Sequence, residues 1–129
     1  MLIRNILEES VRKFDEVKAV KWLNKKEIME RSYGELMENV VSTRKGLLAE
    51  GFEGKHIALI GTSSVEWMES YLGIITGCTT AVPLDAALPC EDLIDLLNRS
   101  DSVALFLSPK LRPYLDAFLE NCPKLQKVW

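Results

Sequence analysis

The segment His56-Ile57-Ala58-Leu59-Ile60-Gly61-Thr62-Ser63-Ser64-Val65-Glu66-Trp67 changes character at its middle. His56 to Ile60 is a short apolar run, the pattern of a strand covered on both faces. Gly61-Thr62-Ser63-Ser64 is a turn, and Ser63 with Glu66 has the spacing of a capping box that opens a helix. That helix runs to about Gly77. Val65, Trp67, Met68, Tyr71, Leu72, Ile74 and Ile75 make it apolar nearly all round, so it should be buried on more than one side, with Trp67 in the core. A buried strand passing through a tight turn into a buried helix is one unit of an α/β fold.

The same alternation continues on both sides. Downstream, Thr79 to Leu84 is a second β-rich run. Pro89 suits a first helical position, with Glu91 and Asp92 favourable in the first turn and Leu93, Leu96 and Leu97 forming the face. Val103 to Leu107 is a third apolar run. Ser108-Pro109 opens a last helix carrying Leu111, Leu115, Phe118 and Leu119, and Lys127-Val128-Trp129 starts one more strand. Upstream, Ile3, Leu7, Val11 and Phe14 mark an amphipathic helix. Lys18–Leu23 and Ile28–Arg31 flank the turn Asn24-Lys25-Lys26 as a hairpin. Ser32 and Glu35 form a capping box before the stripe Leu36, Met37, Val40, Val41, Leu47 and Leu48, and Gly51 stands where a left-handed C-terminal cap is needed. The expectation is one α/β domain over 1–129. It has a mostly parallel open sheet with helices on both faces and a short N-terminal hairpin.

Composition sets bounds. The 129 residues are 47% hydrophobic and 27% charged, with 16 basic and 19 acidic side chains and a formal charge of -3. A clustered basic face for nucleic acid is not indicated. No apolar run reaches the roughly 18 residues of a membrane span, and Glu8 and Glu9 interrupt any signal-peptide core. Cys78, Cys90 and Cys122 are odd in number and far apart, unlike a disulfide framework or zinc site, which points to a reduced, cytoplasmic protein.

Candidate chemistry is thin. Gly61-Thr62-Ser63-Ser64 lies where phosphates meet helix N-termini, yet neither G-x-G-x-x-G nor G-x-x-x-x-G-K-[ST] fits it, so a turn and cap is the reading. His56, the sole histidine, has no triad partner nearby and reads as a surface residue. Asp85 ends a strand and reads as a turn residue. Glu91 and Asp92 serve the helix dipole. Cys78 and Cys90 read as inert, partly buried thiols. Trp67 and Tyr71 read as core rather than as a stacking platform. No catalytic, cofactor-binding or metal-binding residue is assigned.

The order of segments says more. Ser32-Tyr33-Gly34-Glu35-Leu36 resembles the T/S-Y-x-E-L segment of adenylate-forming enzymes, the AMP-dependent synthetases and acyl-CoA ligases. Gly54-Lys55-His56-Ile57-Ala58-Leu59 is similar to their G-D-R-V-A-I strand entry. Ser64-Val65-Glu66-Trp67 running into Tyr71-Leu72-Gly73-Ile74 and Gly77 resembles their S-x-E-W/F … Y-L-A-x-x-x-A-G helix. Thr80-Ala81-Val82-Pro83-Leu84-Asp85 and Leu88-Pro89-Cys90-Glu91-Asp92-Leu93 resemble the next strand and helix start. The likeness covers about residues 32–107 and looks most like the long-chain fatty acyl-CoA ligase branch.

The resemblance implies ATP-dependent conversion of a carboxylate to acyl-AMP with Mg²⁺, then transfer to coenzyme A. The phosphate loop, the ribose-binding acid and the catalytic lysine of that family have no counterpart in these residues. Ala86 and Ala87 stand where many members carry a basic residue. The expectation is therefore the N-terminal subdomain of a fatty acid–CoA ligase, ending before the phosphate loop and inactive alone. Its partners would be the downstream subdomains and, in the parent, a fatty acid. A free-standing small-ligand or nucleotide-binding α/β module is the alternative, and a receiver-like signalling domain ranks last. The isolated chain should self-associate as a homodimer through apolar surface and the strand at Lys127–Trp129; a clean monomer in sedimentation equilibrium would refute this.

Overall fold

A computed structural model describes residues 2–129. Helix α1 spans Ile3–Phe14, and strands β1 (Lys18–Asn24) and β2 (Glu27–Ser32) follow. They pair antiparallel as the expected hairpin, with Leu23 opposite Ile28 and Trp22 opposite Met29. Lys25 takes a positive φ of 57° at the turn. Then come α2 (Tyr33–Ala49), β3 (His56–Ile60), α3 (Val65–Ile75), β4 (Thr80–Leu84), α4 (Cys90–Arg99), β5 (Ser102–Leu107), α5 (Leu115–Asn121) and β6 (Lys127–Val128).

β3 to β6 form one parallel sheet in the order β4-β3-β5-β6. Side chains alternate across it. Ala58, Ile60 and Leu105 face Leu93, Leu97, Phe118 and Cys122 of the α4–α5 side. Ile57, Leu59 and Ala104 face Leu47, Phe52 and Ile74 of the α2–α3 side. Helices thus cover both faces, as expected. Pro83, which donates no hydrogen bond, is tolerated because β4 is an edge strand.

The helix signals hold with local corrections. Ser32 Oγ accepts from the Glu35 amide at 3.1 Å, and Gly51 sits after α2 with φ +77°. Ser32→Ala should therefore cost about 1 kcal/mol, read from the denaturation midpoint. Leu48, expected in the α2 stripe, is exposed instead. The cap of α3 is Ser64 rather than Ser63: its Oγ accepts from the Trp67 amide at 3.1 Å. Pro89 is the cap position of α4, one residue before the expected place. The last helix does not run evenly from Ser108. Pro109–Tyr114 is a 3-10 helix with Pro113 inside it, and the α-helical part starts at Leu115. Pro113 lacks the amide an α-helix would need there and restricts Arg112 before it. Leu119, expected on the apolar face, is exposed.

No helix among the described residues is long and apolar enough to cross a membrane.

Candidate functional site

The chain runs from β3 to β4 on one side of β3 and later returns to place β5 on the other. Open α/β sheets bind ligands at such a reversal, beyond the carboxyl ends of the strands. A half-open cleft of about 470 Å³ lies there, lined by the ends of β3 and β5 and by the start of α3. Gly61 lines it. A Cβ at Gly61 would lie 3.3 Å from Ser108 Cβ and 3.4 Å from Trp67 Cδ1, so the bare backbone lets these two walls close in.

The walls are chiefly apolar. Trp67 stacks on Tyr71 with centroids 5.2 Å apart and planes 10° off parallel. Phe106 stacks on Trp129 at 4.9 Å, and Phe52 meets Trp129 in an edge-to-face arrangement at 6.4 Å. Lys127 lies over the Trp129 ring at 5.6 Å. Hydroxyls of Thr62, Ser64, Ser70 and Ser108 border the opening, with Glu66 and Lys110 as its two charged groups. Ser64 is already spent on capping α3.

This corrects the sequence reading of Trp67. It is half-buried and forms a cleft wall, because the buried stripe of α3 is Val65, Glu69, Gly73 and Ile74. Trp67 and Tyr71, stacked on each other, both pack half-buried against the Leu47–Ile57–Ile74 cluster, so the core reading holds in part. Other expectations hold. His56 is exposed, with Nδ1 2.7 Å from the Ser100 carbonyl, at the opposite end of the strand from the cleft. Asp85 Oδ1 accepts from the Ala87 amide at 2.9 Å in a local turn. Glu91 and Asp92 lie exposed in the first turn of α4. Of the cysteines, Cys78 is exposed rather than partly buried, Cys90 is half-buried, and burial pushes the Cys122 thiol up.

Sequence reasoning missed Glu69 and Arg31. Glu69 is 6% exposed on α3. Its Oε1 lies 2.9 Å from Nη1 of Arg31 on β2, whose guanidinium also covers the Trp22 ring at 5.4 Å. The partners are separated by 38 positions, so no local spacing marks them.

An opening with one lysine, one glutamate and four hydroxyls does not fit a metal-bound triphosphate. No group of three metal-ligating side chains exists among the described residues. The cleft suits an apolar group.

The family model of the AMP-binding enzymes matches residues 7–128. Among solved structures, Coronafacic Acid Ligase from Pectobacterium brasiliense superposes with a TM-score of 0.91 at 21% identity, covering 100% of this chain and 25% of that one. The fatty acyl CoA synthetase of Mycobacterium tuberculosis gives 0.86 at 18% identity, covering 98% and 26%. The anthranilate CoA ligase AuaEII, in complex with anthranoyl-AMP, gives 0.87 at 19%, covering 99% and 24%. The chain thus spans about a quarter of the length of these ligases, and at such identities the likeness is one of fold. No curated protein matches the sequence.

Proposed function

The chain belongs to the AMP-binding enzyme family, and on that premise we propose that it forms the N-terminal part of a fatty acid–CoA ligase. In the parent, ATP would supply the energy for joining a carboxylic acid to coenzyme A. This part contributes an α/β lobe and an apolar cleft.

The observation that carries this reading is where the ligase-like segments fall. Ser64-Val65-Glu66-Trp67 begins at the carboxyl end of β3, and Pro83-Leu84-Asp85 stands at the carboxyl end of β4. Because β3 and β4 are parallel neighbours, both segments stand at the carboxyl end of the sheet, the end that binds ligands in such folds. The apolar walls favour a fatty acid over a polar one. The charge-poor opening leaves the phosphate and metal chemistry to other parts of the enzyme.

The test is acid-dependent exchange of pyrophosphate into ATP. The 129 residues alone should show none above a no-protein blank, with any fatty acid. The same chain joined to the remaining ligase subdomains should show exchange that is fastest with long-chain acids. Exchange by the 129 residues alone, or indifference of the joined protein to fatty acids, would overturn the proposal. The rival binding module is favoured only by the cleft itself, and saturable nucleotide heat in calorimetry would support it.

A further inference from the structure

The cleft belongs to the site already described, and nothing in the structure shows what covers the outward Leu23–Ile28 pair of the hairpin. The buried carboxylate of Glu69 carries more. It is the one carboxylate among the buried residues, and it faces away from the cleft on a helix whose other side supplies Glu66, Trp67 and Ser70 to it. Oε2 accepts a hydrogen bond from Arg31 at 3.3 Å, whereas Oε1, nearer at 2.9 Å, has no aligned donor. Arg31 is the hairpin's ionic link to the α/β body, and its side chain is 23% exposed.

We propose that the Glu69–Arg31 pair is a proton-released latch. With Glu69 ionised it holds the hairpin against α3. With Glu69 protonated, the hairpin comes free while the parallel sheet stays folded.

The charges around Glu69 support this. Burial raises its pKa above the ordinary glutamate value. Arg31 from β2 and the Asn39 side chain from α2 lower it, and Glu66, one turn earlier in α3, raises it again. The net shift is upward, so burial outweighs the guanidinium, and the pair discharges at a higher pH than an exposed glutamate would. Arg31 then needs no counter-charge: part-exposed and lying over Trp22, it can turn to water. Stability of the body moves the other way. A raised carboxyl pKa contributes stability that is fully present below the unfolded value and is lost as pH rises through the folded one. Release takes Arg31, which lowers the Glu69 pKa, away from a carboxyl that α2 still covers, so protonation favours the released hairpin without the Glu69 carboxyl weakening the core.

Amide hydrogen exchange, corrected for its intrinsic pH dependence, is the measurement. Between about pH 7.5 and about pH 4, protection of the β1–β2 ladder should fall at least about tenfold, while Ile57 to Ile60 stay protected. In the unaltered chain the Glu69 carboxyl carbon should titrate in step with that fall by NMR. Glu69→Gln should give a loose hairpin at both pH values, with the step gone. Arg31→Met should do the same where Glu69→Gln does not fold. A hairpin equally protected at both pH values, a step shared by β3, or a step that survives Glu69→Gln would overturn the latch.

Discussion

Phe118→Ala is expected to lower the stability of the chain by about 3–5 kcal/mol, read as a fall in denaturation midpoint at unchanged slope. Phe118 is 0% exposed and is the largest of the fully buried side chains. It fills the layer between α5, the α4 residues Leu93 and Leu97, and the sheet residues Ala58, Ile60 and Leu105. Tyr114 meets it edge-on at 6.1 Å from the preceding 3-10 helix. The void cannot close cheaply, because the strands on one side are tied into the parallel ladder. With domain stabilities of about 5–15 kcal/mol, such a loss takes a large share of the total. Leu119→Ala, one residue along and exposed, should stay within about 0.5 kcal/mol. Equal effects at the two positions would mean that α5 is not docked as described.

That contrast bears on what could be read from the sequence. Apolar runs at Ile57 to Ile60 and Val103 to Leu107 announced central strands because such strands are covered twice and have no polar face to show. Ser32 and Gly51 bounded α2 because capping chemistry is local. Reading failed where the cause lies elsewhere in the chain. The Ser63–Glu66 spacing pointed to Ser63 as the cap of α3, whereas the helix begins at Val65 and Ser64 caps it. Leu48 and Leu119 fit their helical stripes, yet no neighbour arrives to cover them. Trp67 became a cleft wall because α3 turns Val65, Glu69 and Gly73 inward. A glutamate in that stripe contradicts every periodicity rule until Arg31 is brought to it by the hairpin. The cleft was half legible: its place followed from strand–turn–helix order, whereas its aromatic lining joins Trp67, Phe106 and Trp129 from three separate segments.

Gly73→Val should cost about 3 kcal/mol or more, and Gly73→Ala should also destabilise, against the usual helix trend. Alanine in place of glycine inside a helix ordinarily gains up to about 1 kcal/mol. At Gly73 a Cβ would stand 2.5 Å from both Cβ and Cγ2 of Thr43 on α2, and 3.2 Å from the Val40 carbonyl oxygen. Carbon atoms rest at about 3.5–4.0 Å, so the shortfall exceeds about 1 Å. Rotating Thr43 relieves only its methyl. Its Cβ is fixed to the backbone, and its hydroxyl donates to the Asn39 carbonyl at 3.1 Å. The two helices must therefore move apart, which loosens Glu69 on the same stripe. Gly46→Ala is the internal control: Gly46 lies inside α2, with nothing within 4 Å of the added carbon, and should gain stability. Opposite signs from the same substitution in neighbouring helices would locate the α2–α3 contact at Gly73. A gain at both positions would show that the helices do not approach as closely as described. Thr43→Gly combined with Gly73→Ala should recover part of the loss, because it removes the Cβ that the new methyl meets.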